Sequence, residues 1–227
     1  MIIRRATVAD VPAMGRIIND CAELGQMLPK SQAVLYENIR AFHVAEMERP
    51  VVCEEGDTDS DNPRRAAELA SHGLDDRHEA DTRDPALETR SVIVGVCGLS
   101  VVWANLAECA SLAVDPEYRG HGIGRKLVEV CLQDARDLGI RKVMTLTYEQ
   151  AFFERCGFSV IDRMQLPLKV WSECVRCPKK QACDEIAMVR EFEDVPEVAG
   201  MKPPPKPLDY EVPVVLTTKG RAPGQGT

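Results

Sequence analysis

The chain has 227 residues and 44% hydrophobic content, enough for one generous domain with its own core. A formal net charge of −8 excludes a nucleic-acid binder that relies on a basic surface, so no nucleic-acid partner is expected. The longest apolar-rich run, residues 92–103, is too short to span a bilayer, and the opening MIIRRATVAD lacks the apolar stretch of a secretory signal. A cytoplasmic protein without a membrane partner is therefore expected.

In chain order, IIRR predicts a short strand, after which Thr7 or Asp10 caps an amphipathic helix with Val11, Met14, Ile17, Ile18 and Cys21 on one face. Ser31 is the expected N-cap of a second helix whose face carries Val34, Leu35, Ile39 and Phe42. RPVVCEE reads as a short strand. Residues 54–90 carry twelve acids against five arginines, so nearly all of the net charge sits there. The stretch 56–90 has only Leu69, Leu74 and Leu87 as large apolar groups, too few to offset its ordering entropy, and is expected to be a disordered acidic insertion.

SVIVGVCGLSVVW and LAECASLAVD predict an antiparallel hairpin turning at Ala104-Asn105. Residues 124–138 predict a helix with Ile123, Leu127, Val130, Cys131, Ala135 and Leu138 on one stripe, stopped by Gly139. RKVMTLTY is a strand, EQAFFERCGF a short helix, and SVIDRMQL and EIAMVREF the last strands. The fold class is therefore mixed α/β in a single domain over 1–192, interrupted by the insertion. Residues 193–227 form a Pro/Gly-rich tail, expected to be mobile.

Two stretches carry chemistry. The first is Arg119-Gly120-His121-Gly122-Ile123-Gly124, which joins a strand to a helix. Such a loop aims backbone N–H groups and the helix dipole at one point, a site for phosphate or pyrophosphate; a plain glycine-rich turn is the competing reading. It lacks the lysine of a Walker loop, and Arg125 stands where a dinucleotide fingerprint needs its third glycine. The second is Cys174-x-x-Cys177-x5-Cys183, which presents clustered sulfurs as zinc sites require. Asp184, Cys156 or a partner chain would complete a tetrahedron; a redox pair or simple loop packing are the alternatives. The other six cysteines sit among apolar neighbours and read as small buried hydrophobes.

The spacing Arg/Gln-x-x-Gly-x-Gly/Ala, filled by Arg119, Gly122 and Gly124, together with ASLAVDPEYRG, VMTLT and FFERCGF, resembles the GCN5-related N-acetyltransferases. Within them the chain is most similar to the acetyltransferase domain of N-acetylglutamate synthases, especially short stand-alone forms, over about residues 1–53 and 91–190. The stretches that carry this second likeness are IRRATVADV, LPKSQAVLYENIRAF and LTYEQAFFERCGF. The resemblance implies a mostly antiparallel sheet with flanking helices and splayed central strands. It implies acetyl-CoA as co-substrate, with its pyrophosphate on Arg119, Gly120, His121, Gly122, Ile123 and Gly124. A backbone N–H near Leu112 or Ala113 would face the carbonyl oxygen, and Val114 would contribute to cofactor binding.

It further implies Glu108 as the base, a solvated carboxylate near a turn being the other reading. Arg4 and Lys30 match positions that contact an amino-acid acceptor, and a second cation, Arg5 or one near Lys169, is weighed against ordinary surface charge. Many relatives place a tyrosine general acid where this chain has Phe152-Phe153, which leaves solvent or Tyr148. The expected activity is transfer of acetyl to the α-amine of L-glutamate, with L-glutamine as a further acceptor, at the start of arginine biosynthesis. Another amine, a peptide N-terminus or a non-catalytic acetyl-CoA sensor are the alternatives, and relatives commonly form homodimers.

Overall fold

A computed structural model of the chain describes residues 1–50, 89–166, 183–198 and 200. Strand β1 (Ile2–Arg5) leads to helix α1 (Val11–Glu23) and the short helix α2 (Gln32–Glu37). Strands β2 (Phe42–Pro50), β3 (Thr89–Trp103) and β4 (Leu106–Val114) follow. Helix α3 (Ile123–Asp137), strand β5 (Lys142–Thr147) and helix α4 (Gln150–Arg155) come next, then the short β6 (Ser159–Val160) and β7 (Ile186–Glu191). The strands form one sheet in the order β1-β2-β3-β4-β5-β7-β6, antiparallel throughout except for the β4–β5 pair. Helix α1 packs on one face and α3 on the other, giving two main cores, with a smaller third cluster of Val102, Leu106, Met144, Leu166 and Ala187.

Helix α1 begins where Asp10 accepts hydrogen bonds from the Thr7 amide at 2.7 Å and the Thr7 hydroxyl at 2.9 Å, with Pro12 in the first turn. It ends at Gly25, whose φ of 73° lets the chain reverse and the Gln26 amide donate back to Cys21 O. Its buried stripe is Val11, Met14, Ile17, Ile18 and Cys21, as the spacing predicts. Helix α3 stops at Gly139 in the same way, φ 72°, with the Ile140 amide donating to Ala135 O. Its buried stripe includes Val128 and Leu132, while Leu138 is exposed. The β3–β4 hairpin turns at Ala104-Asn105, with Trp103 paired to Leu106.

The second helix is shorter than the sequence suggests. It stops at Glu37, only Leu35 is buried in it, and Phe42 opens β2 instead. Phe42 falls three residues after Ile39 and so continues the apolar spacing of the helix face, but α2 is capped at Asn38 and Phe42 pairs with Gly98 in the sheet. The expected strand RPVVCEE contributes only Arg49 and Pro50 to β2, and its remainder lies outside the described residues. The acidic insertion also lies outside them, except that its expected last two residues, Thr89 and Arg90, begin β3. Past residue 192 the chain still packs: Val195 is buried in the α3-side core and Asp194 pairs with Arg136.

Arg4 braces the sheet to α1. Its guanidinium bonds Asp10 at 2.7 and 2.9 Å and Glu46 at 2.5 Å. This guanidinium holds the Asp10 carboxyl at about 2, below its ordinary 3.8, with the Thr7 amide and hydroxyl adding to the effect. A depressed carboxylate stabilises the fold fully above its unfolded pKa and loses that contribution as pH falls through the folded value. Asp10→Asn is therefore expected to cost about 2 kcal/mol near neutral pH and to flatten the stability curve between about pH 4 and pH 2. Urea melts of both proteins across that window check this; parallel losses would contradict it.

Candidate active site

The sheet opens in its middle. Strands β4 and β5 are paired only from Leu106 to Glu108 against Lys142 to Met144, and beyond that point the two diverge. Glu108 stands at the last paired position, where the V begins. On the other side of β4 the ladder with β3 slips: Gly98 pairs with Ala110 but Val96 pairs with Ala113, so β4 carries one extra residue. Ser111 sits there with φ 56°, a left-handed conformation unusual for a residue with a Cβ. The extra residue inverts the facing of the strand. Cys109 packs on the α3 side while Ala113, four positions later, packs against α1. Leu112 and Ala113 therefore lie just past the bulge, on the strand that leads into the glycine loop.

After β4, Asp115 and Pro116 turn the chain, the Asp115 carboxylate accepting from the Glu117 amide. Gly120 and Gly122 have φ of 82° and 75°, with no atom close to where a Cβ would stand. They are needed for backbone conformation and not for space. Gly122 is the N-cap of α3 and offers no side chain, and the first intrahelical bond runs from Lys126 to Gly122 O. The amides of Ile123, Gly124 and Arg125 thus have no acceptor within the helix and carry its positive end, which suits a pyrophosphate. Arg119 fixes the loop: its Nε donates to Val114 O at 3.0 Å, and its Nη2 donates to Gln26 Oε1 at 3.0 Å. His121 donates from Nδ1 to Tyr118 O at 3.2 Å. At Gly124, a Cβ would meet Phe152 at 3.5 Å and Val114 at 3.7 Å, so an aromatic ring stands beside the helix start.

A cleft of about 650 Å³ runs past Glu108, lined among others by Arg5, Lys30, Ser111, Leu146 and Glu185. Lys30 is set by its backbone, since the Asn19 side chain both donates to Lys30 O at 3.2 Å and accepts from Lys30 N at 3.0 Å. Arg5 also lines the cleft and pairs with Asp134 at 2.9 Å. Arg4 is not among the lining residues. Successive strand residues point to opposite faces, so Arg4 turns toward α1 and Arg5 toward α3. The sequence could not assign these faces without the register.

Tyr148 follows β5, and burial first, then Glu185 and Asp184, pushes its hydroxyl up to about 12, which keeps it protonated. Phe152 and Phe153 meet edge-to-face at 5.1 Å, with Phe153 in the core, so that helix offers no hydroxyl. Of the cysteine cluster, Cys174 and Cys177 lie outside the described residues. Cys183 Sγ accepts from Arg163 Nη2 at 3.3 Å. Among the described residues no helix is long and apolar enough to cross a membrane.

This sheet, open between β4 and β5 beside a glycine loop that caps a helix, defines a class. The Acetyltransferase (GNAT) family profile matches residues 42–158, and the chain belongs to that family. It is an acetyl-CoA-dependent acetyltransferase of that type. It is 32% identical over 188 residues to an uncharacterized N-acetyltransferase of Chlorobaculum tepidum, covering 83% of this chain and 94% of that one. It is 32% identical over 176 residues to an amino-acid acetyltransferase of Mycobacterium tuberculosis, covering 77% of this chain and 78% of the relative.

Among solved structures, it resembles a Mycobacterium tuberculosis protein in complex with CoA and NLQ, at 27% identity and a TM-score of 0.57 over 85% of this chain and 99% of that chain. The N-acetylglutamate synthase of Neisseria gonorrhoeae, complexed with coenzyme A and N-acetyl-glutamate, shares the fold with a TM-score of 0.58 at 20% identity. That match covers 84% of this chain and 34% of the synthase.

Gly122→Ala is expected to raise the KM for acetyl-CoA about tenfold, because a left-handed Cβ costs roughly 1–2 kcal/mol. Saturating kcat should hold. Steady-state kinetics in acetyl-CoA check this, and an unchanged KM would detach the loop from the cofactor.

Proposed function

We propose that the enzyme transfers acetyl from acetyl-CoA to the α-amine of L-glutamate, the opening step of arginine biosynthesis. The observation that carries this reading is the mixed charge of the cleft. Arg5, Lys30 and Arg40 share it with Glu108, Asp134 and Glu185. A zwitterionic amino acid needs both signs at once, cations for its carboxylates and an acid for its amine. A purely cationic acceptor would be repelled by the first set. The relatives named amino-acid acetyltransferase support the same substrate class.

Acetyl-CoA supplies an activated thioester carbonyl; its pyrophosphate would take the amides of Ile123 and Gly124 and the field of Arg119. Glu108, at the point of divergence, takes the proton of the acceptor amine, directly or through a water. The backbone N–H of Leu112 or Ala113, just past the bulge, faces the oxygen that gains charge. Lys30 holds a carboxylate of the acceptor as a point charge. Tyr148, kept protonated, is available to return a proton to the departing thiolate, which is itself a competent leaving group.

L-Glutamine is a second acceptor under this reading. Arg5 already shares its charge with Asp134, which weakens its hold on a side-chain carboxylate and leaves room for an amide. Coenzyme A release, followed by chromatography with a panel of amines, tests the proposal. Turnover with glutamate well above aspartate, lysine and peptides supports it. Turnover confined to a cationic amine or a peptide removes the arginine-pathway assignment, and cofactor binding without turnover on any amine favours an acetyl-CoA sensor.

A further inference from the structure

Three thiols that the proposed chemistry does not use converge between the sheet and α3. Cys97 on β3, Cys109 on β4 and Cys131 on α3 are all buried, and their sulfurs lie within 4.8 Å of one another. Cys97 Sγ is 3.5 Å from Cys109 Sγ. A fourth donor stands beside Cys131. His43 on β2 is paired in register with Cys97, is buried, and places Nδ1 3.9 Å from Cys131 Sγ. Its other nitrogen, Nε2, lies 3.2 Å from the Asp134 carboxylate, one helical turn beyond Cys131. A carboxylate only accepts, so in the neutral ring Nε2 carries the proton and Nδ1 turns its lone pair toward Cys131 Sγ.

We propose that Cys97, Cys109, Cys131 and His43 form a buried structural site for a thiophilic divalent metal ion of the zinc class. The spacing fits that chemistry. Metal–sulfur bonds of about 2.3 Å in a tetrahedron put neighbouring ligands about 3.8 Å apart, near the 3.5 Å between the Cys97 and Cys109 sulfurs and the 3.9 Å from Cys131 Sγ to His43 Nδ1, and the ion would draw His43 in toward the other two sulfurs. Three sulfurs and one imidazole are a complete structural donor set, which leaves no open position and so no catalytic role for the metal. Asp134 is the carboxylate that metal-bound imidazoles characteristically use to fix their tautomer, and Arg5 balances its charge. Binding breaks the S–H bond of each thiol and forms a metal–sulfur bond in its place. The protons leave to solvent, and nothing is oxidised or reduced.

The four ligands come from three adjacent strands and one helix, so the ion would tie β2, β3 and β4 to α3, the helix whose N-terminus bears the glycine loop. Packing of small thiols alone explains burial but not the tautomer set by Asp134 nor the imidazole aimed at sulfur.

The chain has a second cysteine cluster, so the test removes it first. The full chain carrying C174S/C177S is refolded under reducing conditions with zinc and freed of loose metal by gel filtration. Its metal content is then measured, and X-ray absorption counts the donors. One zinc per chain bound by three sulfurs and one imidazole nitrogen is expected. No retained zinc, or zinc on oxygen donors without imidazole, overturns the proposal. Adding C131A to this background should abolish retention, and a C131A protein that keeps its zinc overturns it as well. Should C131A fail to fold, the donor count on the parent protein decides alone.

Discussion

Glu108→Gln is expected to lower kcat about 10²- to 10⁴-fold, the usual contribution of a positioned proton acceptor, while the KM for acetyl-CoA stays unchanged. The substitution keeps the shape of the side chain at the last paired position of β4 and β5, so the V between them should persist. It removes the charge and, under the proposed function, the ability to take a proton from the acceptor amine. The split between kcat and the cofactor KM matters, because a carboxylate that merely supports the hairpin would weaken folding and both constants together. A glutamine variant retaining more than about a tenth of wild-type kcat would exclude Glu108 as the base.

Lys30→Met should act on the other substrate. Loss of a charged partner for a carboxylate costs about 1.5–3 kcal/mol, so the KM for glutamate is expected to rise about 10- to 100-fold with the acetyl-CoA KM unaltered. Lys30 is delivered to the cleft by the Asn19 clamp on its backbone, which the substitution leaves in place. Kinetics against both substrates read this directly. A rise in the acetyl-CoA KM alone would move Lys30 from the acceptor side to the cofactor side.

The parts of the molecule legible in sequence are those whose signals are local. Helices α1 and α3 announce themselves by apolar spacing, and α3 also by Gly139, which ends it. The strand–loop–helix unit around Arg119 is readable because the left-handed turns fall on Gly120 and Gly122. The hairpin turn at Ala104-Asn105 is readable because it separates two apolar runs of strand length.

What sequence hides is set by register and tertiary packing. Ser111 adopts a positive φ without any glycine to mark it, so the bulge that reverses the facing of β4 leaves no trace in the letters. The resemblance puts Arg4 at the acceptor and leaves Arg5 as a weaker candidate, whereas the pairing with β2 directs Arg4 to Asp10 and Arg5 to the cleft. Phe42 continues the helical spacing of Leu35 and Ile39 although it opens β2. Cys97, Cys109 and Cys131 read as separate small hydrophobes, since nothing in their spacing reveals that two strands and a helix bring them to one point.

Under the proposed function the acetyl group goes to the α-amine of glutamate, and a competition measures this most directly. Isotopically labelled acetyl-CoA is given to the enzyme with an equimolar mixture of glutamate, glutamine, aspartate, lysine and a short peptide, and the acetylated products are resolved by mass spectrometry. Label on glutamate above all others, with glutamine second and both lost in Glu108→Gln, is the expected result. Label on lysine or the peptide, with glutamate left unmodified, would contradict it.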